Sequence, residues 1–136
     1  TSAMATTAMF DLAGYPLHDA AQHGDIEGME KAIKGGIDVN ALETDRKWTA
    51  LHVAAETNQL EAIKKLSELG ADMNARDKDD ETPMHCAAFL GHSDAVGWLL
   101  AGGASTRVTN KYGMTPHEVA LRHGKEATAK MILEES

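Results

Sequence analysis

Seven histidines in this 136-residue chain could bind a metal or transfer a proton. They match no metal-binding pattern, because the sequence has no HExxH, no paired Cys-x-x-Cys and no acidic Ca²⁺ loop. Three of them, His18, His52 and His85, follow one another at intervals of 34 and 33 residues. Regular spacing of this kind is typical of one structural position in a repeating unit. We therefore predict that the chain binds neither a metal nor a cofactor.

Cys86 is the single cysteine and would be the natural candidate for a nucleophile. Covalent catalysis would also require an activating base and an oxyanion site beside it. The thiol lies instead in Met84-His85-Cys86-Ala87-Ala88, a stretch of mostly small residues, and we interpret it as part of the core. We predict no catalytic residues and no enzymatic activity. A lone cysteine also excludes an internal disulfide framework and favours a reducing compartment, the cytoplasm or the nucleus.

Two further patterns could bind ions. The acidic run Asp77-Lys78-Asp79-Asp80-Glu81 lacks the ligand order and the central glycine of a calcium loop. We interpret it as a solvated loop tip and, if functional, as a surface that attracts a basic partner. Gly35-Gly36 and Gly102-Gly103 resemble parts of phosphate loops, but they follow helical patterns and are predicted to end helices.

Charge and hydropathy exclude two classes of partner. The formal net charge is −8, and a field of that sign repels the phosphate backbone of nucleic acids. No window approaches the roughly 18 to 20 apolar residues that a membrane span requires. The sequence therefore predicts neither nucleic-acid binding nor membrane insertion.

The chain is organised by an internal repeat. One short motif recurs as Leu17-His18-Asp19-Ala20-Ala21, Leu51-His52-Val53-Ala54-Ala55, Met84-His85-Cys86-Ala87-Ala88 and His117-Glu118-Val119-Ala120-Leu121. A second set of markers, Gly36, Gly70 and Gly103, keeps the same period. Units of this length cannot bury their apolar faces alone, so the period predicts a solenoid stabilised by stacking.

Each unit reads as helix, turn, helix and loop. Thr82-Pro83 predicts a capped start for a first helix that ends at Gly91, where a left-handed conformation is available. Ser93-Asp94 is expected to cap a second helix running to about Ala101. We therefore predict an all-α fold of eight short helices in four pairs.

These motifs resemble the ankyrin consensus, which is carried by Thr82-Pro83-Met84-His85-Cys86-Ala87-Ala88 with Gly91-His92, Leu99-Leu100 and Gly103-Ala104. The resemblance covers residues 14–134 as repeats of about 14–44, 45–77, 78–110 and 111–134, within a domain spanning 14–136. Residues 1–13 are interpreted as an N-terminal extension, with Thr1-Ser2-Ala3 as a remnant of cloning. The resemblance implies a stack of helix–turn–helix units joined by β-turn fingers. It also implies a structural role for the repeated histidine, which would hydrogen-bond the neighbouring unit.

The sequence departs from the consensus at several positions. The terminal units carry Tyr15-Pro16 for Thr-Pro and His117-Glu118 for the apolar-His pair. The second unit has one extra residue before Thr49, and Lys47 and Asp80 replace finger glycines, so we expect altered fingers there. Asn40 and Asn74 occupy a position that is hydroxylated in some ankyrin proteins. We interpret both as structural turn residues.

Family geometry implies a concave groove built from the fingers and the first helices. The residues carried over to it are Arg46, Trp48, Glu56, Lys78, Asp79, Glu81, Phe89, Leu90, Lys111, Tyr112, Met114 and Arg122. The large apolar members are expected to be exposed, although some of them would pack against a neighbouring finger in the alternative interpretation. Trp98 is interpreted as core or as a wedge on the convex side.

The leading functional hypothesis is a non-enzymatic, monomeric module that binds a partner protein in this groove as an adaptor or inhibitor. The apolar residues of the groove and the acidic residues that flank them predict a partner with an apolar anchor and basic neighbours. A second hypothesis is a regulatory or targeting domain of a larger protein whose activity lies elsewhere. The third hypothesis is an enzyme, but nothing in the sequence supplies the nucleophile, base or cofactor loop that an enzyme would need.

Overall fold

The computed structural model describes residues 11–135, which form eight helices and no strand. The helices are α1 Pro16–His23, α2 Ile26–Lys34, α3 Ala50–Glu56, α4 Leu60–Glu68, α5 Pro83–Leu90, α6 Ser93–Ala101, α7 Pro116–Arg122 and α8 Glu126–Glu134. The first helices α1, α3, α5 and α7 pack on one another in chain order, and each also packs on its own second helix. The second helices α2, α4, α6 and α8 contact one another in the same order. The predicted all-α solenoid of four helix pairs is confirmed.

Small residues explain how closely the first helices approach. Ala21, Ala55 and Ala88 occupy the same repeat position, and each is completely buried in a first helix that packs on the first helix of the following unit. Leu121 occupies the equivalent position in the last unit, where it is 52% exposed. A leucine is accommodated there because no further unit among the described residues packs on it.

Threonine is the N-cap of three of the four first helices, at Thr49, Thr82 and Thr115, and the predicted cap at Thr82 is confirmed. Thr82 accepts a hydrogen bond from the backbone N–H of His85, whose Nδ1 in turn accepts the backbone N–H of Thr82 at 3.1 Å. Thr115 forms the same reciprocal cap with Glu118 in the last unit. The expected cap by Ser93 is wrong. His92 is the N-cap of α6, and the Ser93 hydroxyl lies 2.6 Å from the hydroxyl of Thr128 on α8.

The finger turns keep one backbone conformation despite their different residues. Lys47, Asp80 and Gly113 all have positive φ, at 61°, 59° and 76°. Lys47 and Asp80 therefore adopt the positive φ of the finger glycine, although the finger with Lys47 is one residue longer, and the strain is carried by these two side-chain-bearing residues. The N-terminal extension predicted for residues 1–13 lies largely outside the described residues. Within it, Leu12 belongs to the core because its side chain is only 2% exposed.

Candidate protein-binding groove

A polar side chain at the same position of each finger holds the finger in shape. The Asp77 carboxylate accepts the backbone N–H groups of Asp79 and Glu81 at 2.8 and 2.9 Å. Asn110 accepts two equivalent N–H groups in the next finger. In the finger with one extra residue, the longer Glu43 carboxylate accepts three backbone N–H groups. This residue position was missed at the sequence level, although its acidic and amide residues recur with the repeat period.

The fingers are joined to one another and to the helices behind them. The backbone N–H of Lys78 donates to the carbonyl of Arg46, and that of Lys111 donates to the carbonyl of Asp79, both at 3.0 Å. The His52 ring adds a contact to the next finger, with Nε2 lying 2.8 Å from the carbonyl oxygen of Glu81. The groove residues on the fingers are therefore positioned by the stacking of the repeats.

The repeated histidines are structural, as the resemblance implied. His18 and His85 make the same bridge as His52, with Nε2 lying 2.8 and 2.9 Å from the carbonyls of Trp48 and Met114. Burial lowers the pKa of all three rings, which keeps them neutral. Because a carbonyl only accepts, the proton of each ring lies on Nε2. No group of three or more His, Cys, Asp and Glu side chains suited to a metal occurs within residues 11–135.

The second, third and fourth fingers are the turns at residues 43–48, 77–81 and 110–114. A concavity of about 340 Å³ opens between the second and third fingers and helices α3 and α5. It brings together seven of the predicted contact residues: Arg46, Trp48, Glu56, Lys78, Asp79, Glu81 and Phe89. Asp77 and Cys86 complete the lining and were not predicted as contact residues. Cys86 is a buried thiol with a raised pKa, which agrees with its interpretation as a core residue.

The expectation that Trp48 is exposed is wrong, because its side chain is only 8% exposed. Its indole N–H donates to the Asp77 carboxylate at 2.7 Å, and its ring stacks on His52. The Arg46 guanidinium covers the ring at 4.4 Å from the centroid. Trp48 is thus packed by a neighbouring finger, as the alternative interpretation allowed.

Met114 is also less exposed than expected, since it packs against the hydrophobic core. Phe89, Leu90 and Tyr112 are exposed as predicted, with Tyr112 at 66%. Trp98 is not a core residue. It is 36% exposed on the outer helix α6, where the Lys64 ammonium lies 5.6 Å from its ring centroid.

The remaining predicted contact residues lie outside the concavity lining. Lys111 forms an ion pair with Asp79 at 2.8 Å and lies 5.2 Å from the ring centroid of Tyr112. Leu90 and Arg122 are exposed near the ends of α5 and α7. The fingers and first helices thus place apolar and charged side chains together along one side of the described stack.

Two overlapping segments, residues 17–66 and 51–100, match the sequence profile of ankyrin repeats (many copies). Together they cover more than half of the chain. The chain belongs to the ankyrin-repeat family.

Curated ankyrin-like relatives are much longer proteins. The chain is 34% identical over 116 residues to the mouse inactive serine/threonine-protein kinase TEX14, covering 85% of this chain and 8% of that protein. It is 32% identical over 118 residues to a Caenorhabditis elegans homolog of transient receptor potential cation channel subfamily A member 1. The Drosophila melanogaster channel is 27% identical over 122 residues. Each of the two channel matches covers 87% of this chain and 10% of the channel. The chain therefore spans about a tenth of the length of these relatives.

The ankyrin domain shows two further structural features that bear on function. Asn40 and Asn74 each accept a backbone N–H from the following repeat, at 2.8 and 2.7 Å, in accordance with their interpretation as turn residues. Among the described helices, none is long and apolar enough to cross a membrane. Ankyrin repeats are in general modules for protein–protein interaction, and their repeat units are not catalytic.

Proposed function

We propose that this ankyrin domain binds a partner protein through its concave side, as an adaptor or inhibitor. The observation that carries the proposal is the concavity of about 340 Å³ with exposed Phe89 on its wall. Phe89 is 47% exposed at the end of α5, and its ring centroid lies 4.2 Å from that of His123 on the next repeat. Exposed aromatic side chains next to a cleft are frequent anchors of protein interfaces.

The stacked core does not require the exposed groove side chains. Each repeat is held by buried alanines, by leucines such as Leu51 and Leu99, and by the histidine bridges. Tyr112 is absent from this core and stands at the tip of the fourth finger. Side chains that contribute little to folding are free to vary with the partner, which supports a recognition role for this side.

A regulatory or targeting role within a longer protein is a second candidate. It is favoured by the comparison with TEX14 and the channel relatives, of which the chain spans about a tenth. In that case the groove would bind a segment of the same protein or of its assembly. For either role we propose a monomeric domain acting in the cytoplasm or nucleus, in agreement with its single buried thiol.

The test is selection of random twelve-residue peptides on the immobilised domain, followed by titration of the selected peptides. Binding is measured with the wild type, with the double variant Phe89→Ser/Tyr112→Ser, and with Trp98→Ser on the outer helix as the matched control. We expect the double variant to lose at least about tenfold in affinity while the control stays within about twofold. Equal losses in both variants, or peptides that bind the double variant normally, would contradict binding in the groove.

A further inference from the structure

Carboxylates outnumber basic groups in the concavity between the second and third fingers. Its charged lining comprises Glu56, Asp77, Asp79 and Glu81 against Arg46 and Lys78. The charges lie on a concave wall rather than on an open surface, where they attract a cation more strongly. The occupant of the concavity therefore has to be compatible with an excess of negative charge.

Two of the four carboxylates already have partners within the domain. Asp77 accepts the indole N–H of Trp48 and the backbone N–H groups of its own finger. Asp79 is paired with the Lys111 ammonium at 2.8 Å. These two acids hold the fingers together, and the charge offered to a ligand comes from Glu56 and Glu81.

Glu56 and Glu81 are poorly compensated within the chain. Burial raises the pKa of Glu56 to about 7, and neighbouring Glu81 adds to this, although Arg46 acts in the opposite direction. Burial, Asp77 and Asp79 likewise raise the pKa of Glu81, although a hydrogen bond with the Asn110 side chain and the Lys111 ammonium act in the opposite direction. A cation placed between the two carboxyl groups would relieve this cost.

The walls around these carboxyl groups favour a long organic cation over a metal ion. Phe89 presents an exposed aromatic ring and Cys86 a buried thiol to the same concavity. An aromatic ring attracts a guanidinium or ammonium group and also packs against the methylene stem of arginine or lysine. No metal-binding cluster occurs among residues 11–135. The volume of about 340 Å³ lies within the usual range of ligand clefts.

We propose that the partner inserts an arginine or lysine side chain into this concavity, with its stem on Phe89 and its cationic head between Glu56 and Glu81. This inference rests on the proposed function and names the chemistry that the groove selects. The charge of the lining and its apolar wall are both satisfied by one such side chain. An acidic or purely apolar segment would add no cation to the limited compensation that Arg46 gives Glu56 and that Asn110 and Lys111 give Glu81.

The first probe is a small molecule, Nα-acetyl-arginine methylamide, with its neutral citrulline analogue as the matched control. Both are titrated at millimolar concentration into the ¹⁵N-labelled domain at pH 8, where Glu56 is ionised. We expect the arginine compound to shift the backbone amides of Glu56, Glu81 and Phe89 at least about threefold more than citrulline does. Equal shifts from the two compounds would overturn the proposal.

The second probe uses groove-binding peptides from the selection described above, with arginine or lysine at the central position. Glu56→Gln and Glu81→Gln are each expected to weaken such peptides about 5- to 30-fold at pH 8, and Glu27→Gln on α2 is the exposed control. Replacing the peptide arginine by citrulline should remove most of the difference between the variants and the wild type. A peptide that occupies the groove but keeps its full affinity when its arginine is replaced by citrulline would contradict this inference. The proposed function would still stand. If no selected peptide requires the groove, both are wrong.

Structural damage and lost recognition are separated by stability measurements. Glu56→Gln removes a partly buried carboxylate and should raise the free energy of unfolding at pH 8 while it weakens binding. A weakened affinity that accompanies a lower stability would indicate a damaged fold and would count against a direct contact.

Discussion

The Nε2 atom of His52 lies 2.8 Å from the carbonyl oxygen of Glu81, so one repeat holds a groove residue of the next. The Nδ1 atom of the same ring accepts the backbone N–H of Thr49 at 3.1 Å. A single neutral imidazole thus caps its own helix and fixes the neighbouring finger. Recognition on the concave side and stability of the stack are coupled through this ring.

Replacing His52 by alanine should therefore destabilise the domain by about 2–4 kcal/mol, because it empties a buried site, leaves the buried N–H of Thr49 without its acceptor and removes one of the two donors to the half-buried Glu81 carbonyl. Urea denaturation at pH 7.5 measures the change. The control is His23→Ala, an exposed histidine at the end of α1, which should stay within about 0.5 kcal/mol. Similar midpoints for the two variants would contradict the bridging role.

The pKa shifts predict opposite dependences of stability on pH. His18, His52 and His85 have lowered pKa values in the folded state, so the unfolded state binds more protons and stability falls below about pH 6.5. Glu56 has a raised pKa of about 7, so its ionisation costs stability as the pH rises through that value.

The variant Glu56→Gln isolates the second effect. It should be more stable than the wild type at pH 8, where the wild-type carboxyl is ionised in a partly buried site. The advantage should shrink towards pH 5.5, where the folded wild type carries the proton. Unfolding curves of both proteins from pH 5.5 to 8 give this difference directly, and a difference independent of pH would show that Glu56 keeps an ordinary pKa.

Trp48 is expected to contribute to stability rather than to be a dispensable contact residue. Trp48→Ala should cost about 3–5 kcal/mol, because it empties a buried site and removes one of the three N–H donors to Asp77. Trp48→Phe keeps most of the ring and should cost about 1–2 kcal/mol, mainly through the lost N–H donor. Guanidinium denaturation followed by circular dichroism compares the two, and a loss below 1 kcal/mol in the alanine variant would contradict the packing described.

The burial of Trp48 could not be predicted from the sequence, whereas the helices could. The period, the threonine caps and the small residues are local signals, and they were sufficient to predict eight helices in four pairs. The burial of Trp48 depends on Asp77 of the next finger, which lies 29 positions further along the chain and accepts the indole N–H. A pattern confined to one finger does not contain that contact.

The groove was predictable to a similar extent. Family geometry located seven of its lining residues, including Glu56 and Phe89, because the backbone of a repeat fixes which positions face the concave side. The sequence did not indicate which acids already have partners, since the pairing of Asp79 with Lys111 joins side chains of different repeats. Desolvation of Glu56 likewise results from the assembled walls rather than from its neighbours in the chain.

The finger turns offer a stabilising change. Lys47→Gly and Asp80→Gly should each raise the free energy of unfolding by about 0.5–1 kcal/mol, because glycine relieves the positive φ at a smaller entropic cost. Gly113→Ala is the reverse control and should destabilise the domain. No atom lies within 4 Å of an added Cβ, so only the positive φ of the backbone opposes the substitution. Thermal melts of the three variants test this, and stabilisation by Gly113→Ala would show that positive φ is not the source of strain.

The exposed aromatic residues should separate binding from folding. Tyr112 is 66% exposed at a finger tip and Phe89 is 47% exposed beside the concavity, so alanine at either position removes little buried surface. We expect Tyr112→Ala and Phe89→Ala each to weaken groove-binding peptides by about 1–3 kcal/mol, the range for an aromatic hot spot. The loss of stability should stay below about 1 kcal/mol. Calorimetric titrations with parallel thermal melts give both quantities, and Trp98→Ala controls for loss of an aromatic on the outer helix. Affinities that stay unchanged, or that fall only in proportion to the melting temperature, would place the interface elsewhere on the domain.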